Sequence, residues 1–202
     1  MLHIACLNKN IEVVEILISH GININDNEND RGLTPLMIVS IMHYKEIAEF
    51  LLSHGASINM QDKNGEIALH HAIMHDCKEL SKFIDDKIEY LAINLLAMKL
   101  WNKLRNPMDF NDLIELLLSN GADVNAKFKE SHSPLHVASV KYNIKLVEIL
   151  ISHGADVNAL NEIDMTPLDN VIKRESLEDD TDILEKLKKV RRILISHGGK
   201  LR

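Results

Sequence analysis

One short motif recurs through the chain and limits what it can fold into. Leu/Ile-Ser-His-Gly stands at Ile18 to Gly21, Leu52 to Gly55, Ile151 to Gly154 and Ile195 to Gly198, with Leu118-Ser119-Asn120-Gly121 as a variant. Successive glycines of this set are 34, 66, 33 and 44 residues apart. A period near 33, with one doubled and one lengthened interval, predicts a solenoid of repeated supersecondary units with a degenerate middle.

The copy from Ser133 to Ala159 shows the physics of one unit. Ser133 is placed to cap a helix, and Pro134 falls at the first helical position, where its missing N–H costs nothing. Leu135, Ala138 and Tyr142 share one face, and the small Ala138 lets a second helix approach closely. After a turn near Asn143, Leu146, Val147, Ile149 and Leu150 make the next helix apolar on two sides, so neighbours must cover it. Gly154 supplies the left-handed residue that stops that helix. Asp156-Val157-Asn158-Ala159 then runs extended toward the next Thr166-Pro167.

Thr-Pro-Leu-His, a following Ala, a Val/Ile/Leu-rich helix and Gly-Ala-Asp-Val-Asn together resemble the ankyrin-repeat family along essentially the whole chain. The resemblance implies an all-α repeat solenoid: L-shaped helix–turn–helix units with β-hairpin fingers, stacked into a curved rod forming a single domain, 1–202. About six units are expected. Unit 1 (1–30) lacks its Thr-Pro, as if the family's N-terminal cap were absent or the chain were a truncated remnant of a longer ankyrin-repeat protein. Unit 2 is 31–63. Unit 3 (64–88) keeps Leu69-His70, replaces Thr-Pro with Ile67-Ala68, and ends without Gly or finger. Unit 4 (89–129) is atypical, with one long helix expected from Ile88 to Leu104, ended by Pro107. Unit 5 is 130–162, and unit 6 (163–202) carries an acidic insertion and a Lys/Arg-faced terminal helix. Fingers are expected after Gly21, Gly55, Gly121 and Gly154, and none after Ile88.

Composition narrows the function. Against 23 Lys and Arg the chain has 30 Asp and Glu, a net charge of −7, which argues against nucleic acid or an anionic membrane as partner. No apolar run reaches 18 residues, and Met1-Leu2-His3-Ile4 does not read as a secretory leader. The expectation is therefore a cytoplasmic protein. Cys6 and Cys77 suit a reducing compartment. Lys-, Ile- and Asn-rich ankyrin-repeat proteins are frequent among intracellular bacteria and large viruses, where such proteins can act in a host cell.

Of the 11 histidines, repeat position explains seven. His3, His70 and His136 take the family's Leu-His slot, while His20, His54, His153 and His197 precede the helix-ending glycine. Each Ser-His pair sits at a helix end, which is a poor place for a nucleophile and its base. His71, His75 and Cys77 are the remainder: His71 and His75 stand i, i+4 on one helix and could present two ligands to zinc. No further ligands follow at metal spacing, so a metal-dependent enzyme is the alternative and not the main reading. The acidic run Glu175, Glu178, Asp179, Asp180 and Asp182 lacks the pattern of a calcium loop. No catalytic residue, cofactor or bound metal is expected.

The family resemblance implies a non-catalytic scaffold, a monomer, that binds a protein partner in a concave groove and on the finger tips. Aligned units place Ile41, Met74 and Val140 at one position, five residues after Leu36, Leu69 and Leu135. Five residues is about 500° of helix, so these side chains point about 140° away from the buried leucines. Apolar residues repeated on a face that should be solvated suggest a covered surface. The next slot holds Met42, His75 and Lys141, and the fingers add Arg31, Lys63, Glu66, Lys129, His132, Ile163 and Met165. The other reading is that the Ile88 to Leu104 helix or the curvature of the array shields this stripe.

Overall fold

The computed structural model describes residues 1–74, 110–127 and 131–202. Ten helices are formed among them: α1 (Leu2–Leu7), α2 (Ile11–Ser19), α3 (Pro35–Ile41), α4 (Lys45–Ser53), α5 (Ala68–Ile73), α6 (Phe110–Ser119), α7 (Pro134–Val140), α8 (Ile144–Ser152), α9 (Pro167–Glu175) and α10 (Thr181–Ser196). Four are six or seven residues long and all but α10 are ten or fewer, below the length at which a helix holds itself in water, so tertiary packing must hold them. Local signals set their ends. Thr34 and Thr166 accept the backbone N–H three residues on, with Pro35 and Pro167 at the first helical position. Asn10 and Asn143 cap α2 and α8 in the same way. At the other end Gly154, at φ +86°, closes α8, and Ala155 N–H reaches back to the Leu150 carbonyl at 3.0 Å. Only a residue without Cβ holds that left-handed turn cheaply.

The helices form two layers. α1, α3, α5, α7 and α9 pack against one another in chain order, and α4, α6, α8 and α10 make the second layer. Five pairs result: α1/α2, α3/α4, α5/α6, α7/α8 and α9/α10. Leu2, Leu36, Leu69, Leu135 and Leu168, one from each first helix, are buried in one core with Val14, Leu51, Leu117, Leu150 and Leu194 from the second helices.

The spacing assigns 110–119 to a fourth unit, but α6 pairs with α5 and stacks on α4 and α8, as the second helix of the third unit does. Among the described residues the 66-residue glycine interval holds one helix pair, α5/α6, with residues 75–109 between them in sequence. The long helix expected over Ile88 to Leu104, and the missing finger after Ile88, lie outside the described residues. A ladder of asparagines independently fixes the order. Asn25 Oδ1 accepts Ser57 N–H at 2.7 Å, and Asn59 Oδ1 accepts Asp123 N–H at 2.8 Å. Asn125 and Asn158 do the same for Asp156 and Lys200, each at 2.8 Å. Each rung joins one unit's finger to the residues just past the next unit's glycine. Asn59 therefore counts Gly121 as belonging to its immediate neighbour.

The fingers are also plainer than hairpins of regular strands. Among the described residues no strand ladder forms; tight turns take its place, closed by Asp62 N–H to the Glu66 carbonyl (2.9 Å) and Asn161 N–H to the Met165 carbonyl (3.1 Å). Lys63 N–H donates to the Arg31 carbonyl at 2.9 Å, a single backbone link between adjacent fingers.

The last pair closes the stack with charge. Glu175 pairs with Arg191 at 2.9 Å and Glu178 with Arg174 at 2.8 Å, while Asp180 caps α10. Three of the five acidic residues in this run are thereby bonded within the fold and not merely solvated.

Leu150 sits fully buried between α8's neighbours. Leu150→Ala should cost about 2–5 kcal/mol, as lost burial plus a cavity. Urea titration followed by circular dichroism measures this, and the midpoint should fall with an unchanged folded spectrum.

Candidate partner-binding face

The histidines show first what the repeat uses for its own stability. At helix ends, His20, His54, His153 and His197 each donate Nδ1–H to the carbonyl four residues back, at 2.7 to 3.0 Å. Asn120, the variant residue, makes the same bond to Leu116 with its amide at 2.8 Å. Position and not imidazole chemistry is what recurs. His70 and His136 are buried and accept at Nδ1 from the N–H of Ile67 (3.0 Å) and Ser133 (3.1 Å). Their Nε2–H groups donate onward to the carbonyls of Ala126 (2.8 Å) and Met165 (3.0 Å), in the next unit's approach. Burial holds both neutral, pushing His70 down to about 4 and His136 below its usual value. Met37 and Asp169 occupy the same slot in α3 and α9. Burial pushes Asp169 up, but the N–H and hydroxyl of Thr166 outweigh it and hold the carboxyl below its usual range. Cys6 is buried, and its thiol is raised by that burial to about 12, which leaves it inert.

The predicted partner residues divide by exposure. Ile41 ends α3, Met74 caps α5 and Val140 ends α7, and each is partly exposed at the same place in three successive units. Lys141 is exposed beside them and reaches toward the Ile73 carbonyl at 3.5 Å, across to the preceding unit. On the fingers, Lys63 is exposed with Nζ on the Asp30 carbonyl (2.8 Å), and Ile163 is 66% exposed at a turn. Arg31, His132 and Met165 are half-buried; His132 sits edge-on to the His136 ring and within 3.3 Å of the Asn161 amide.

Two residues do not belong on the surface. Met42 is only 8% exposed and packs in the core at the α3–α4 turn, because the helix ends there and the chain folds inward. Glu66 is only 2% exposed, since the finger turn carries it under the unit and not to the tip. His75 and Lys129 lie outside the described residues. So do His75 and Cys77 of the metal-enzyme reading. His71 is described, and it is buried at 3.2 Å from Asp62 and 3.9 Å from Glu66. Both of these neighbours come from the turn before the helix. Burial raises Asp62, but the bonds from His71 and from the N–H of Glu66 and Asn64 outweigh it and hold the carboxyl below its usual value.

A family model described as ankyrin repeats, in three copies, matches residues 2–94 and 105–191. The chain therefore belongs to the ankyrin-repeat family, whose members generally mediate protein–protein interaction and are typically non-enzymatic. A protein of Rickettsia felis named as an ankyrin repeat protein is 33% identical over 117 residues, 56% of this chain. The match spans 38% of that relative's length. No helix among the described residues is long and apolar enough to cross a membrane.

His136 is neutral when folded because burial lowers its pKa, whereas in the unfolded chain it titrates near 6.5. Its contribution to stability is thus complete above about pH 6.5 and is lost as pH falls through that value toward the folded one. Urea midpoints measured from pH 7.5 to 5 should decline for the wild type and decline less for His136→Gln.

Proposed function

We propose that this chain is a non-catalytic, monomeric, cytoplasmic interaction module that binds a protein partner across the ends of α3, α5 and α7 and the adjoining finger tips. The observation that carries the reading is the register of Ile41, Met74 and Val140. Three successive units leave an apolar side chain partly exposed at one position, while the leucines five residues earlier are fully buried. Packing in the stack accounts fully for the leucines and only in part for the stripe, where Ile41 rests against the core and still keeps one side exposed. Lys63, Lys141 and Ile163 border it with charge and one further apolar tip. A dry centre inside a polar rim is how protein interfaces are commonly built. Met42 and Glu66 are not part of this surface.

Affinity capture followed by mass spectrometry should identify the retained protein. The triple variant Ile41→Glu, Met74→Glu, Val140→Glu should then lose it while keeping the helical circular dichroism spectrum. Because the three side chains are only partly exposed, a second variant, Lys63→Glu with Ile163→Glu, tests the rim alone and should weaken capture without changing the melting temperature. Capture that survives in a folded triple variant removes this face as the interface.

A further inference from the structure

The third unit differs from its neighbours in one buried place. Asp62, Glu66 and His71 are 7%, 2% and 6% exposed, and one ligand atom from each lies within 4.8 Å of the other two. Stacking does not ask for these residues. In the second unit the same three positions are Asn29, Leu33 and Ile38, and in the last they are Asn161, Met165 and Asn170, none of them titratable.

The turn itself needs only one oxygen at the first position. Asn29 Oδ1 accepts the N–H groups of Arg31 and Leu33, at 3.2 and 2.9 Å. Asn161 Oδ1 accepts those of Ile163 and Met165, at 3.1 and 2.9 Å. Asp62 Oδ1 makes the same pair with Asn64 and Glu66, at 2.8 and 2.9 Å. An asparagine serves this turn elsewhere, so the charge on Asp62 is surplus to it. Its other oxygen, Oδ2, is turned to His71 Nε2 at 3.2 Å, with Glu66 Oε2 at 3.9 Å from the same nitrogen.

We propose that Asp62, Glu66 and His71 form a binding site for a divalent transition-metal ion, with one imidazole nitrogen and two carboxylate oxygens as ligands. Mixed nitrogen and oxygen donors suit zinc, and two ligands about 2.1 Å from zinc stand roughly 3.4 Å apart in a tetrahedral shell. The Asp62–His71 spacing is already there, and a rotation of the Glu66 carboxylate closes the third corner. Asp62 also lines an open groove of about 470 Å³ between the first and second fingers, together with Glu28, Asp30 and Lys63. Three carboxylates against one lysine there favour a cation over an anion. The ion would tie the finger turn to α5 in the unit whose two helices are separated by residues 75–109.

The test uses the full chain stripped with a chelator and then titrated with zinc alone. Isothermal titration and metal analysis should give one tightly bound zinc per chain, and zinc should raise the melting temperature. Asp62→Asn and Glu66→Leu install the residues that the second unit already uses, so the turn should fold. Each should weaken the tight site at least about 100-fold, since loss of supporting groups alone costs 10–100-fold. His71→Ile should do the same. Should those variants misfold, cobalt in the wild type reads the same site directly through its ligand-field absorption. Failure of the wild type to bind zinc tightly overturns the proposal. So does tight zinc retained by folded Asp62→Asn and Glu66→Leu, which would place the ion elsewhere in the chain.

Discussion

Everything in this molecule depends on helix pairs that cannot bury their own apolar sides. α1, α3, α5 and α7 are six or seven residues long. Such helices are unstable alone, and Leu36, Leu69 and Leu135 are buried because another pair lies on each side. Stability in such an array passes from neighbour to neighbour, so each interface matters more than any one helix. The small residues Ala48, Ala72 and Ala138, all buried, let the layers come close enough for that contact to be dense.

A stack of this kind presents one helix end after another, and each end leaves carbonyls and N–H groups to be satisfied. The chain meets this with a small set of devices used repeatedly. Left-handed glycines stop the second helices, serine and histidine side chains take up the last carbonyls, and the asparagine ladder bonds each finger to the next unit. His70 and His136 extend the same economy inward, each linking its own helix start to the neighbouring unit through a neutral imidazole. Where a histidine is replaced by methionine or aspartate, the Thr N–H still finds sulfur or oxygen. The slot requires an acceptor of suitable reach, and several residue types provide one.

The faces left over are what function has to work with. Packing consumes the leucine positions and hydrogen bonding consumes the turns, leaving the exposed ends of the first helices and the finger tips. In the third unit a further set of polar groups is spent in a way the other units do without: two carboxylates and an imidazole are held together beneath a finger.

Much of this was legible in the sequence. The glycines at 21, 55, 121, 154 and 198, the Thr/Ser-Pro starts and the apolar period between them are local signals, each with a direct backbone or burial consequence, and the structure follows them. Other features were settled only in three dimensions. A glycine interval counts residues, not units, so 66 residues read equally well as two units or as one helix pair with a long connection. The contact of α6 with α5 and the Asn59–Asp123 bond show that α6 lies directly beside α5. Met42 and Glu66 have the composition of surface residues by alignment, yet the inward path of a turn buries both. The meeting of Asp62 with His71 joins residues nine apart through the fold of a turn onto a helix, a distance that no periodicity encodes. Sequence patterns report which side of an element is apolar; which polar side chains meet beneath a turn is set by tertiary packing, because that depends on how one element lies on the next.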